Sequence, residues 1–325
     1  MKQLKDLSAT VFIPTLNGEE FLDDLLKAAL SQKLPFDYEV FVIDSGSTDR
    51  TLDIIKKYSE VRLHEIPNEE FGHGRTRTLA AEMSSSDFMV YITQDAVPAS
   101  EMWLHYILEP FFLSDKVAAV LGRQIPRPDC NITVKREVSS VFSNFGSLDS
   151  ISLHRGFSLI DEKTKISAPG YLSDVNAAYR RNLLVGELPF PLVDYAEDQA
   201  IGEEVLTKGY IKAYAPQGSV FHSHNFSVRQ YFYRKYDETL GLIKNTGARP
   251  QVSAKELVIG TLKSTIRDWM FLLRDKDYSW YSKLTQFIKS PFYNLSVRLA
   301  ILMASSSRGK KNSRLSLEDK LRSQK

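Results

Sequence analysis

Two stretches decide the fold: Val11–Leu22 reads VFIPTLNGEEFL, and Val42–Thr51 reads VIDSGSTDRT. Each is a short apolar run that breaks into a polar turn and re-enters with helical spacing. Thr10–Pro14 predicts a strand, and Glu19–Gln32 predicts a helix from Phe21, Leu22, Leu25, Leu26, Ala29 and Leu30. Tyr38–Ile43 predicts a second strand, followed by a helix over Asp49–Tyr58 with Asp49 as its N-cap. Outward from these, Val61–Ile66, Phe88–Thr93 and Val117–Gln124 read as strands, with helices over Gly74–Ser84 and Trp103–Phe112. Strand–helix alternation of this kind predicts an α/β fold, a mainly parallel sheet with helices on both faces. The rhythm resumes at Ser173–Asn182, Asp198–Lys208 and Tyr210–Phe221, and the chain beyond Ser227 reads as helical. Between them, residues 126–170 are polar and bounded by prolines, and are expected to cover one edge of a cleft.

Composition narrows the class. The 325 residues are 43% apolar and 25% charged, ordinary for a globular protein with a substantial core. Cys130 is the single cysteine, which excludes an intrachain disulfide and a cysteine zinc cluster. The start, MKQLKDLSATVFIP, lacks the apolar stretch of a signal peptide, and no run approaches the ~20 apolar residues of a membrane span. A soluble or peripheral protein is expected, cytoplasmic or on the inner face of the cell membrane. The net charge of +2 hides an asymmetry: Gln251–Lys325 carries 15 Lys/Arg against 6 Asp/Glu, while residues 1–250 carry 27 against 34. A basic tail on an acidic body suggests two tasks. The expected division is a catalytic domain over 1–250, a helical basic and aromatic segment over 251–305, and a flexible basic tail over 306–325.

In parallel sheets ligands bind beyond the carboxyl ends of the strands. The polar clusters Thr15-Leu16-Asn17, Asp44-Ser45-Gly46-Ser47 and Gln94-Asp95 fall there, so a nucleotide is expected at that edge. VFIPTLNGEEFL, VIDSGSTDRT, a strand ending in Asp, SDVNAAYRR and YAEDQAIGEEVLTKGY follow one another at separations that resemble family-2 glycosyltransferases of the GT-A fold. The resemblance runs from about Val11 to His224. Within that family FGHGRTRTLAAE, YITQDAVP and GRQIP look like bacterial rhamnosyltransferases, which take L-rhamnose from dTDP-L-rhamnose to extend cell-surface polysaccharides.

The resemblance assigns roles residue by residue. Asp44 would accept the N–H of a uracil or thymine ring, with Thr15 and Asn17 flanking base and ribose; the blander alternative is that Asp44 and Ser47 only organise a turn and cap the next helix. Arg77 and His73 are donor-site candidates, against a solvated arginine and a loop histidine. The family ends the fourth strand in Asp-x-Asp, but here the triplet is Thr93-Gln94-Asp95. Asp95 keeps the place of the carboxylate that binds a divalent cation, Mg2+ or Mn2+, on the donor diphosphate. Gln94 lies at the same donor edge. His222 and His224 form a His-x-His at a strand end, where the family completes its metal site. Asp198 would be the base that deprotonates the acceptor hydroxyl, with Glu197 orienting it or holding the acceptor; alternatively the pair only decorates a helix N-terminus. Asp174 and Asn176 are placed against the acceptor or donor sugar.

From Leu257 to Met303 apolar and aromatic residues alternate with Lys and Arg. This reads as docking to an anionic membrane surface, or as packing on the core or on another subunit in a homo-oligomer. No nucleic-acid module accompanies the charge, so nucleic acid is not an expected partner. The expected reaction is inverting transfer of rhamnose to a growing, lipid-linked glycan. Its rivals are the same fold with another UDP- or dTDP-sugar and a non-catalytic sugar-nucleotide-binding scaffold. A nucleotidyltransferase would show a Gly-rich, basic loop after the first strand, which VFIPTLNGEE lacks.

Overall fold

The computed structural model describes residues 3–156, 169–191, 197–246, 249–307 and 312–316. The chain divides into two compact units. Among the described residues the first holds 3–125, 141–156, 169–191 and 197–222, and the second holds 126–140 and everything from Ser223 onward.

The first unit is built on β1 (Ser8–Thr15), α1 (Leu22–Leu30), β2 (Asp37–Asp44), α2 (Thr51–Ile55), β3 (Val61–Glu65), α3 (His73–Met83), β4 (Phe88–Ile92), β5 (Val97–Pro98), α4 (Trp103–Leu108) and β6 (Val117–Ile125). After α5 (Ile132–Ser143), whose residues to Ser140 count with the second unit, come β7 (Ser152–Arg155), β8 (Asn176–Arg180), α6 (Arg181–Leu184), α7 (Glu197–Thr207) and β9 (Ile211–Phe221). The sheet runs β3-β2-β1-β4-β8-β6-β9-β5, with β7 also on β9. Its first four strands are parallel, β8 is antiparallel to both neighbours, and β6 and β9 are parallel again. Because β8 alone is reversed among them, its start lies at the edge where β1, β2, β4, β6 and β9 end. That single inversion brings the residues before Asn176 to the functional edge.

Alternation along each strand makes two apolar faces. Ala9, Val11 and Ile13 of β1 pack with Val40, Val42, Phe88, Val90 and Ile92 beneath α1, α2 and α4. The opposite face carries Phe12, 5.9 Å from Phe41 and 5.5 Å from Tyr91 between ring centroids. There α3 covers the sheet, its Arg77 carbonyl accepting the Tyr91 hydroxyl at 3.0 Å.

Residues 126–170 depart from the expected polar cover. α5 and β7 lie within them, while 157–168 fall outside the described residues. β7 joins the sheet through β9.

The second unit contains α8 (Val228–Thr246), a π-helical turn (Glu256–Gly260), α9 (Thr261–Arg274) and α10 (Trp280–Ser306). Tyr236 and Leu240 of α8 pack with Ala300 and Ala304 of α10, so this unit takes α8 in, and the chain parts at His222 rather than near residue 250. It also draws in Pro126–Ser140. Asp268, fully buried, pairs with Arg136 and accepts from Thr133 Oγ1 at 2.7 Å and Asn294 Nδ2 at 2.6 Å. Lys135 lies between Asp275 and Asp277, at 2.7 and 2.6 Å. Most of the tail expected to be flexible lies outside the described residues. Asn312–Ser316 is seated: Leu315 packs on the Tyr236 cluster and the Asn312 amide donates to the Tyr236 hydroxyl at 3.3 Å.

Candidate active site

The edge formed by the ends of β1 and β2 is a laced pair of loops. Asp44 is fully buried, and its carboxylate accepts four bonds, from Thr15 Oγ1 (2.8 Å), Ser47 Oγ (2.5 Å) and the Gly46 and Ser47 amides (3.0 and 2.9 Å). A carboxylate offers roughly four lone-pair sites. All are filled, so Asp44 organises the turn, and a base N–H would have to displace one of these bonds. Gly46 sits at φ +87, the left-handed conformation that lets its amide turn back onto Asp44. Asn17, at φ +50, accepts the Thr48 amide at 2.8 Å, and its own amide donates to Ser47 Oγ at 2.8 Å. Thr15 and Asn17 thus tie the two loops together.

Gln94 clamps the first loop. Its Oε1 accepts the Leu16 amide at 2.8 Å and its Nε2 donates to the Leu16 carbonyl at 3.1 Å. The expected donor-binding residue therefore spends its amide on the backbone. A Cβ on Gly18 would lie 2.6 Å from Gln94 Oε1, which explains glycine there.

Asp95 follows β4. The Thr93 hydroxyl, which replaces the first carboxylate of Asp-x-Asp, donates to Asp95 Oδ1 at 2.7 Å and orients it. Asp95 Oδ2 stands 3.5 Å from His222 Nε2, at the end of β9. The other ring nitrogen, Nδ1, lies 2.9 Å from Gln124 Oε1, and Gln124 Nε2 donates to Ser173 Oγ at 3.1 Å. With Gln124 so oriented, Nδ1 donates to Oε1, and Nε2 faces the Asp95 carboxylate. A carboxylate and an imidazole so placed could hold a metal ion. His224 belongs to the second unit, where its ring stacks on Phe226 at 4.7 Å.

Where β8 begins, four charged side chains meet. Arg77 forms ion pairs through Nε with Asp174 Oδ2, at 3.0 Å, and through Nη1 with Glu197. Asp198 Oδ2 accepts the Asp174 amide at 3.3 Å, and Tyr179 donates its hydroxyl to Asp174 Oδ1 at 2.6 Å. Arg77, Asp174 and Glu197 are buried, and Asp198 is partly exposed. Burial first, then the Glu197 and Asp174 charges, pushes the Asp198 carboxyl above its ordinary range. Burial also raises Asp174, against the pull of Arg77. The carboxylates in turn raise Arg77 despite its own burial. Arg77, expected at the donor or on the surface, is instead the counter-ion of the acidic group. His73 opens α3, with its ring 5.1 Å from that of Phe71.

Asn176 does not face a sugar. It is fully buried, accepts from Trp103 Nε1 at 2.9 Å and donates to the carbonyls of Arg123 and Gly218 at 3.1 and 2.8 Å. Asp174 is held from solvent by Arg77 and Tyr179, so the acceptor pair becomes a framework pair. Gln124, Ser173, Tyr179 and Trp103, none of them singled out by sequence, hold the functional groups in place. They had no local signal, since each partner lies far away along the chain. A separate cavity of about 200 Å3, lined by Tyr106, Glu109, Asp149, Ile151 and Pro216, contains none of the site residues.

Residues 10–185 match the family described as glycosyl transferase family 2. The O-antigen chain rhamnosyltransferase RfbN of Salmonella typhimurium is 30% identical over 234 residues, 71% of each chain. WbaN of Salmonella anatum, with the same description, is 34% identical over 71% of this chain and 70% of its own. Among solved structures, the mannosyltransferase PcManGT of Pyrobaculum calidifontis superposes with a TM-score of 0.57 at 16% identity, over 93% of this chain and 86% of its own. That likeness confirms the GT-A architecture, and the family match extends over more than half of the sequence. With carboxylates, histidine and laced loops gathered at one sheet edge, the chain is a glycosyltransferase belonging to family 2.

Proposed function

We propose that the protein transfers L-rhamnose from dTDP-L-rhamnose, with inversion, to a growing lipid-linked glycan of the bacterial cell surface. The observation that carries the reading is Asp198: a partly exposed carboxylate at the start of α7 whose proton affinity is raised by burial and by Glu197 and Asp174. A general base works best with its pKa near the working pH, and this environment moves an aspartate that way. Asp198 takes the acceptor hydroxyl's proton as that oxygen attacks the anomeric carbon and the bond to the diphosphate breaks. Glu197, tied to Arg77, keeps the base partnered with like charge and fixes the start of the helix.

Asp95 and His222 would hold a divalent cation. Such an ion supplies charge stabilisation to the departing diphosphate. Thr15, Asn17 and Asp44 shape the loops on which the nucleotide would rest, and His73 remains a donor-side candidate. Rhamnose as the sugar rests on the likeness to RfbN and WbaN, together with FGHGRTR and TQDAVP.

Purified protein offered dTDP-rhamnose, UDP-glucose, UDP-N-acetylglucosamine and GDP-mannose, with and without Mn2+, tests the donor. Release of dTDP alone supports the reading, and preference for a UDP- or GDP-sugar overturns it. Asp198→Asn should abolish transfer while donor affinity changes less than about threefold. Retained turnover would remove Asp198 from the role of base.

A further inference from the structure

Within the second unit, α9 and α10 leave a large apolar surface uncovered. On α9 the exposed side chains Leu262, Ile266, Met270 and Leu273 recur at intervals of four, four and three residues, one stripe of a helix. The opposite side, Thr265, Asp268 and Leu272, is buried. On α10 Trp280, Tyr281, Leu284, Phe287, Ile288 and Phe292 are exposed, Trp280 and Tyr281 by 79% and 75%. Trp269 stacks on Phe287 at 4.1 Å and donates its Nε1–H to the Phe287 carbonyl at 3.0 Å, which joins the two stripes into one patch. Soluble monomers rarely leave apolar patches beyond a few hundred Å2 without a use for them.

Charge selects the occupant. From Trp280 to Ser306 there is no acidic residue, and the basic ones are Lys283, Lys289 and Arg298. On α9, Lys263, Arg267 and Arg274 are exposed, while its acid, Asp268, is buried with Arg136. Asp275 and Asp277 are engaged by Lys135. An apolar stripe with exposed aromatics and cations that its own acids do not neutralise fits the headgroup zone of an anionic bilayer. A two-fold dimer through the same patch would set one protomer's cations against its partner's. No described helix is long and apolar enough to cross a membrane.

We propose that the α9–α10 face is a membrane-docking surface that inserts Trp280, Leu284, Ile288 and Leu273 among the lipids of an anionic bilayer, lying in its plane. Sedimentation of the full chain with phosphatidylcholine vesicles, and with vesicles containing about one third phosphatidylglycerol, reads this directly and needs no donor or acceptor. It therefore stands or falls apart from the reaction proposed above. Strong binding to the anionic vesicles only, weakened at least tenfold in Leu273→Glu/Ile288→Glu and severalfold in Lys263→Gln/Lys289→Gln, is the expected result. Both positions of the first variant are exposed, and circular dichroism melts check that each variant folds. Absence of binding, unchanged binding in the folded glutamate variant, or a stable dimer that this variant splits would each overturn the proposal.

Discussion

Replacing Arg77 with Met removes the cation around which Asp174, Glu197 and Asp198 are assembled. Arg77 is 6% exposed, Asp174 1% and Glu197 4%, so the charges have little water to fall back on. At the 3.0 Å separation of Nε and Asp174 Oδ2, an effective dielectric of about 20 gives an attraction of about 5 kcal/mol. Part of it is offset by the desolvation that burying the arginine costs. Breaking one side of such a buried pair costs about 3–5 kcal/mol, because the abandoned carboxylates stay buried. Burial already raises Asp174 and Asp198, and loss of the cation raises them further above their unfolded values. A carboxyl whose folded pKa is raised destabilises the fold above that pKa and ceases to do so as pH falls through it. The deficit of Arg77→Met should therefore be largest near pH 8 and shrink toward pH 5. Urea unfolding at the two pH values measures it, and adding Glu197→Gln should restore part of the loss by removing one orphaned charge. A deficit below about 1 kcal/mol that is the same at both pH values would refute the idea that Arg77 is the counter-ion of this group.

The pH profile of turnover should show an acid limb above the ordinary carboxylate range, since Asp198 must be deprotonated to act and its environment favours the proton; Glu197→Gln, which removes a like charge, should move that limb to lower pH. A limb near pH 4 in the wild type would argue against Asp198 as base. Gln124→Leu takes away the acceptor that holds the His222 Nδ1 proton, and should weaken Mn2+ binding by about 10–100-fold in titration calorimetry without touching a ligand. Trp103→Phe leaves the Asn176 Oδ1 without its indole donor in a fully buried place, and should cost about 1–3 kcal/mol in urea unfolding, with loss of the aromatic ring volume adding to the deficit. An unchanged midpoint would show that Asn176 finds another donor.

The strands and their loops were legible because each signal is local. Val40–Ile43 is apolar throughout, as a strand buried on both faces must be, and the DSGSTD that follows can only turn. Gly46 in its left-handed conformation is readable in the same way. The side-chain marriages were not. Arg77 and Glu197 lie 120 residues apart, and nothing near Arg77 distinguishes a buried counter-ion from a solvated helix arginine. The helix over Ile132–Ser143 escaped for a different reason: Val134, Val138 and Val141 carry its apolar spacing on β-branched residues, amid serines that favour turns, so propensity and periodicity disagree. Its place is fixed only by long-range partners such as Asp268, 132 residues from Arg136.

The Thr93-Gln94-Asp95 triplet shows how the altered motif can still work. A second carboxylate at position 93 would add charge beside Asp95 and repel it. The threonine hydroxyl instead donates to Asp95, fixes its rotamer and leaves Oδ2 turned to His222. Gln94 contributes nothing to charge, but its amide closes on Leu16 from both sides and thereby ties the end of β4 to the loop after β1. The three residues divide the labour: one orients, one fastens the loop, and one is left to face His222. An aspartate at position 93 would convert a donor into a second acceptor, so Asp95 would lose its bond and gain a repulsion of the same geometry. The motif's departure from Asp-x-Asp is therefore better understood as the replacement of a charged side chain by a positioning one, with the carboxylate that faces His222 kept.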